Sequence, residues 1–350
     1  MASARPLRIG IVGCGGISER HAKGAAATDA VSIVACCDVR PEIAQEWSRR
    51  HGCEGAYEDY LTMVREHELD AALIATWPNL HRDHVLGCLE AGARNILCEK
   101  SLALTGAEAL EIWRAADEAG ALVVEGFMYR HHPAIARIDE LLAAGSVGQL
   151  DNIWAAFSLF DPAEFAADDP KRAWRQRKDY GGGAPWDLAS YCIDACNRFA
   201  ASPPKRAMSV TQASDRYGTI DRLYGLIQYE NGIVGMVESS KRSDFNHELR
   251  ISGSRGNVGL PVAWRIEGPT EVVASRSVGW GVFESERHGI PEADAFRLQL
   301  EAFAAAVREN LPPAPSLAES VVSALTLDAL LASAAAHEVI DVRVPMEVGA

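Results

Sequence analysis

Basic residues are in short supply in this 350-residue chain: 34 Lys and Arg stand against 48 Asp and Glu, a formal net charge of -14. A surface that acidic repels phosphate backbones and anionic lipid, which argues against nucleic-acid and membrane partners. Long apolar runs are lacking too, since no stretch approaches the roughly 20 apolar residues that a membrane-spanning helix requires. The lipoprotein-like tetrad Ile11-Val12-Gly13-Cys14 lacks the preceding apolar stretch of about 7–15 residues that a signal peptide needs, so a cytoplasmic location is expected. The 8 cysteines include no C-x-x-C pair and no second cluster at zinc spacing. They are expected to be small buried hydrophobes in a reducing compartment. His81 with His84, and His131 with His132, have no third ligand at helical spacing, so no metal site is expected.

What is present reads as two domains. Hydrophobic residues make up 48% and charged residues 23%, the mix of a folded globular chain. Apolar runs at residues 7–12, 31–37, 70–75, 95–98 and 121–124 predict buried strands. Helical segments follow: one after the glycine cluster that runs to Ser18, through Ala27, and others at 41–51, 78–91 and 105–119. That alternation implies βαβ units, a parallel sheet and a doubly wound Rossmann domain over residues 1–125. Beyond residue 150 the runs at 151–160, 206–213, 222–229, 232–240 and 247–253 are strand-like and joined by turns. Asn231-Gly232 between two alternating runs predicts a hairpin. Residues 126–350 therefore read as an α+β domain with a large, mostly antiparallel open sheet. Its helices are expected at 133–144, 186–199, 294–309 and 317–336.

Three blocks carry chemistry. Gly13-x-Gly15-Gly16-Ile17-Ser18 follows a strand and opens a helix, matching the dinucleotide fingerprint except that Ser18 replaces its third glycine. Such a turn brings backbone N–H groups and the positive end of a helix to a pyrophosphate. Asp38 ends the second strand about 20 residues on, where a carboxylate accepts hydrogen bonds from the adenosine ribose. A carboxylate there repels a 2′-phosphate and favours NAD over NADP, a preference that Arg40 softens. The second block is Thr76-Trp77-Pro78-Asn79-Leu80-His81 after the third strand, with Glu99-Lys100-Ser101 after the fourth. Ligands bind beyond the carboxyl ends of such strands. On these grounds alone His81 serves equally well as a cap for its own helix, and Lys100 as a solvated charge. The third block, residues 181–194, sends three glycines through Pro185 into a helix where Asp187 and Tyr191 are spaced i, i+4 on one face. Helix capping by Asp187 and core packing by Tyr191 fit that spacing too.

These blocks, with residues 89–100, 125–133 and 294–307, resemble the Gfo/Idh/MocA oxidoreductases in the family's own order. The resemblance covers nearly the whole chain. It implies a Rossmann domain and a sheet domain whose face commonly makes a homodimer or homotetramer contact. The family's lysine falls on Lys100, its helix aspartate on Asp187 and its catalytic residue on Tyr191. A tyrosine there is similar to the glucose–fructose oxidoreductase, dihydrodiol dehydrogenase and xylose dehydrogenase branch, as is the stretch 126–130. The implied activity is hydride transfer between NAD and a carbon bearing hydroxyl or carbonyl in a sugar, cyclitol or cyclic diol. In this scheme Tyr191 takes the hydroxyl proton and the Lys100 ammonium favours the phenolate. Asp187 orients the substrate or Lys100. Tyr129, Arg130, His131, Trp174 and Arg175 are the expected sugar-contacting rim. A keto-sugar reductase using NADPH and a non-catalytic dinucleotide-sensing regulator are the alternatives. The family's proline after the lysine is Ser101 here, so either a trans bond aims Lys100 differently or neighbouring contacts hold a cis one.

Overall fold

The computed structural model describes residues 5–160 and 173–348. The chain forms two compact units, Met1–Arg130 with Asp294–Ser320, and His131–Ala293 with Val321–Ala350.

In the first unit, β1 (Leu7–Val12), β2 (Val31–Cys37), β3 (Gly55–Tyr57), β4 (Ala71–Ile74), β5 (Asn95–Glu99) and β6 (Leu122–Gly126) form one parallel sheet. Its order is β3-β2-β1-β4-β5-β6, the doubly wound arrangement expected from sequence. Strands covered on both faces have no polar side to show, which is why these segments read as continuous apolar runs. The connecting helices are α1 (Gly16–Ala26), α2 (Pro41–His51), α3 (Tyr60–Glu66), α4 (Pro78–Glu90) and α5 (Gly106–Ala119). The start of α5 is set by Thr105, whose hydroxyl accepts from Glu108 N–H at 3.2 Å, while Glu108 accepts from Leu104 N–H at 2.9 Å. The sequence reading passed over β3 and α3, because three residues carry no periodicity.

The chain returns to this unit with α8 (Ala295–Glu309). Asp294 Oδ1 caps it, accepting from the N–H groups of Phe296 and Arg297 at 3.0 and 3.2 Å. Leu300, Phe303 and Ala304 of α8 join Ile9, Ile11, Trp47 and Leu97 in one core. Each fully buried Leu, Ile or Phe in such a core contributes about 1.5–3 kcal/mol.

The second unit contains α6 (Pro133–Ala143), β7 (Leu150–Ser158) and α7 (Ser190–Ala200), then β8 (Pro204–Ala213), β9 (Ile220–Tyr229) and β10 (Val234–Ser240). The strands β11 (Leu249–Gly253), β12 (Gly256–Leu260), β13 (Thr270–Gly279), β14 (Val282–Ile290) and β15 (Ile340–Asp341) complete it. The sheet order is β14-β13-β12-β11-β7-β10-β9-β8-β15. Neighbours are antiparallel except β7 and β10, so the mostly antiparallel sheet is as expected. The Asn231-Gly232 turn joins β9 to β10 with Val234 opposite Gln228. Strands β12–β14 escaped the sequence reading. In β14 almost every residue is exposed, so it shows no inside–outside alternation.

Helix α7 lies on β7 and β10, with the Sγ atoms of Cys192 and Cys196 directed at Glu238 O and Met236 O at 3.6 and 3.9 Å. This explains the four-residue cysteine spacing, since both thiols sit on the face toward the sheet. All 8 cysteines are free thiols. Helix α9 (Leu317–Ala336) corrects the reading of apolar runs, because by length and composition it is able to cross a membrane. Its packing shows another reason for that composition. Val321, Leu327 and Leu330 are buried, and Ser209 ties α9 to β8, its Oγ donating to Leu330 O at 2.6 Å and its N–H to Ser333 Oγ at 3.1 Å.

Candidate active site

The first unit builds its site from backbone. Gly13 ends β1 at φ +97°, where a Cβ would meet Ala75 O at 2.8 Å, so the turn accepts only glycine without strain. Above Gly15 and Gly16 a Cβ would meet nothing within 4 Å, which leaves the start of α1 open to a ligand. No side chain caps this end, with Gly15 at the N-cap, so first-turn N–H groups remain to bind a pyrophosphate. Ser18, in place of the third glycine, is buried and donates to Gly15 O at 2.6 Å; Ile17 packs on the core.

Asp38 follows β2 and reaches back to the turn, accepting from Cys14 N–H at 3.2 Å. Its other oxygen accepts from Arg40 N–H at 3.1 Å and Arg40 Nε at 3.3 Å. The carboxylate therefore braces the glycine turn and is partly neutralised by Arg40. Trp77 and Pro78 start α4, with Trp77 39% exposed at the turn after β4 and Pro78 buried at the first helical position. Asn79 Oδ1 is buried with no hydrogen-bond partner among the described residues, an acceptor suited to a bound donor. An open helix N-terminus, a carboxylate after the second strand and this unfilled acceptor fit a dinucleotide.

His81 and Glu99, both expected at the cofactor, are held by protein partners. The His81 ring is fully buried, with Nδ1 2.7 Å from Ser101 O and Nε2 3.1 Å from Thr76 O. Burial pushes its pKa down, and the ring ties the turn after β4 to the turn after β5. Glu99 Oε1 lies 2.7 Å from Nε2 of buried His21. The Lys100–Ser101 peptide is cis. The next residue is anchored as well, since Leu102 N–H donates to buried Glu125 Oε1 at 2.8 Å. Among the expected sugar-rim residues, Tyr129 is buried and Arg130 Nη1 donates to Glu319 Oε1 at 2.9 Å. Burial alone would raise the Glu319 carboxyl; Arg130 and Ser316 outweigh it and hold it below its ordinary range. His131 lies in the turn Met128–His131, at the start of the second unit.

The second unit builds its site from side chains. The triple glycine lets the chain fold back on itself: a Cβ on Gly182 would meet the carbonyl oxygens of Trp174, Arg175 and Arg177 at 2.6–2.7 Å. Gly183 N–H then donates to Arg175 O at 2.9 Å, which places Arg175 beside the next turn. That turn, Pro185–Ala189, is π-helical rather than the opening of a uniform α-helix over 186–199; α7 proper begins at Ser190. Wide turns of this kind recur at functional sites. Asp187 Oδ2 accepts from Arg175 Nε at 2.9 Å and lies 3.1 Å from Lys241 Nζ. The Arg175 guanidinium stands 4.7 Å from the Trp174 ring centroid. Tyr191 is buried, its ring edge-on to Phe157 at 5.4 Å and tilted against Trp264 at 6.0 Å. Trp264 is fixed in turn by its Nε1–H, which donates to Ala156 O at 2.7 Å.

Lys241 was missed in the sequence reading, though a signal was there. Gly235, Val237 and Ser239 are the inward residues of β10, and the period of two continues to residue 241. His21 and Glu125 left no comparable trace.

A parallel sheet in this order, with an open glycine turn after its first strand, is a dinucleotide-binding scaffold. The family comparison agrees: a model described as oxidoreductase family, NAD-binding Rossmann fold, matches residues 7–127, and the GFO/IDH/MocA C-terminal domain matches 135–259. The chain belongs to the Gfo/Idh/MocA family of oxidoreductases. Among similar proteins, D-xylose 1-dehydrogenase (NADP(+)) 2 of Haloferax volcanii is 28% identical, over 94% of this chain and 97% of the relative. Trans-1,2-dihydrobenzene-1,2-diol dehydrogenase of Oryctolagus cuniculus is 30% identical, over 70% of this chain and 71% of its own. The solved structure of levoglucosan dehydrogenase with NADH and levoglucosan shares the fold at TM-score 0.85. It is 22% identical and covers 97% of this chain and 100% of that one.

Proposed function

We propose that this enzyme oxidises a secondary hydroxyl of a sugar, cyclitol or cyclic diol, with NAD preferred over NADP. The observation that carries the reading is Tyr191, a phenol set against an aromatic wall one turn after an aspartate gripped by two cations. The names of the relatives support the substrate class.

Bound at the glycine turn, the dinucleotide supplies the hydride acceptor. The N–H groups at the start of α1 would hold its phosphates and Asp38 its ribose hydroxyls. Tyr191 removes the hydroxyl proton as general base, and the Lys100 ammonium favours the phenolate that this requires. Asp187 orients the substrate. Trp174 and Arg175 offer a stacking face and a fork of donors to a polyhydroxylated ring. Because Arg40 shares the Asp38 carboxylate, the bias against a 2′-phosphate is modest. The test is a spectrophotometric panel of aldoses, cyclitols and cyclic diols, each with NAD and NADP. Turnover with at least one sugar class is expected, faster with NAD; no turnover while the cofactor binds removes the reading.

The protein is also proposed to be a homo-oligomer through the open face of the second unit's sheet. Met208 and Val210 of β8 stand opposite Leu226 and Tyr224 of β9, and all four side chains are exposed. Light scattering should give a dimer or tetramer, and Val210→Asp should shift it toward monomer. A wild-type monomer contradicts this. Its unpaired thiols suit a cytoplasmic location.

A further inference from the structure

We infer that Lys241 and Arg175 select an anionic substituent on the substrate, so that the enzyme prefers sugar acids bearing a carboxylate over neutral sugars; the inference rests on the sugar-oxidoreductase reading above. It starts from a side chain that packing does not explain. Lys241 is 2% exposed and follows directly on β10. Its Nζ lies 3.1 Å from Asp187 Oδ2, yet none of its three donors makes a well-aligned hydrogen bond to any described residue. A buried ammonium with unused donors is costly unless a ligand fills them.

Arg175 repeats the pattern. Its Nε donates to the same Asp187 Oδ2, and its two terminal amino groups bond to no described residue. Among the described residues, two cations thus share one carboxylate oxygen. The neighbouring Arg242 does not join them, because Asp221 Oδ2 matches its Nε at 2.8 Å. A planar fork and a point charge side by side suit a carboxylate. Tyr191 follows Asp187 by one turn, so a ring whose hydroxyl meets the tyrosine carries its anionic substituent to the cations. Trp174, beside Arg175, offers a face for the ring.

The test is calorimetric titration of the full-length, NADH-saturated protein with D-glucuronate, D-glucose and D-glucose 6-phosphate, alongside the turnover panel. Glucuronate should bind about tenfold tighter than glucose, the scale of one charge-assisted contact. Lys241→Met and Arg175→Gln should each cut that ratio about fivefold, while Lys241→Arg should keep most of it. Melting curves check the fold. Should Lys241→Met fail to fold, Arg175→Gln carries the test, because the Arg175 side chain is 32% exposed. Equal affinity for the two sugars, or a ratio that neither variant changes, overturns the inference. Tighter binding of glucose 6-phosphate than of glucuronate overturns the sugar-acid assignment in favour of phosphate. Binding is read apart from turnover. A glucuronate preference without turnover sinks the oxidoreductase reading alone, and turnover of neutral sugars without the preference sinks this one alone.

Discussion

The two units recognise their ligands by different means. At the glycine turn of the first, the groups offered are main-chain N–H donors and a helix end, positioned by Gly13 and braced by Asp38. In the second, the groups are the side chains of Arg175, Asp187, Tyr191 and Lys241, gathered from a turn, a helix and a strand. Backbone recognition suits a constant partner such as a pyrophosphate, since it barely depends on side-chain identity. Side chains brought together from distant positions can be exchanged one at a time, and the proposed substrate choice would reside there.

The sharpest way to separate the units is Tyr191→Phe. Loss of the general base should lower kcat by about 10²–10⁴-fold, while NADH binding, followed by fluorescence, stays as it was. A variant that turns over normally removes Tyr191 from the chemistry. The reciprocal change is Gly13→Ala. A Cβ at 2.8 Å from Ala75 O and φ +97° strain the turn, and cofactor affinity should fall about tenfold or more. Sugar-acid binding at the second unit's cations, measured without cofactor, should be much less affected; an equal loss of both would break the division of labour.

Acid sensitivity offers a third comparison, because each unit holds a histidine whose charged form burial disfavours. Burial, aided by Arg265, pushes His247 down from 6.5 to about 4, between the rings of Phe157 and Phe245. Burial, aided by His81, does the same to His84 in the first unit, also to about 4. Between those values the unfolded chain binds the proton and the folded one does not. Stability is therefore full above pH 6.5 and declines as pH falls toward 4, by on the order of 2–3 kcal/mol per site. His247→Phe should flatten part of the fall in melting temperature over that range; an unchanged slope would contradict the assignment. The smallest effect is expected at Arg40. Arg40→Ala leaves Asp38 unshared and should raise the NAD-to-NADP ratio of kcat/KM about threefold, on the scale of one exposed ion pair. A fall in the ratio would mean that Asp38 does not select the cofactor.

The same contrast explains what could be read from sequence. The parallel sheet was legible because strands buried on both faces are written as apolar runs, and the glycine turn because Gly13, Gly15 and Gly16 fall within four positions directly after the first strand. The catalytic assignments of Lys100, Asp187 and Tyr191 came from family resemblance, since spacing alone fits capping and core packing equally. Strand β14 could not be read because exposure on both faces leaves no alternation. The links His81 to Ser101 O and His21 to Glu99 join positions 20 and 78 residues apart, beyond the reach of any local pattern. Lys241 was within reach, marked only by the parity of its strand.

The most direct test of the account is nicotinamide reduction by the purified wild-type enzyme with NAD and the sugar panel, sugar acids included. Reduction by at least one sugar class, with NAD faster than NADP, is the predicted result. Tight cofactor binding without reduction by any sugar, cyclitol or diol would contradict it.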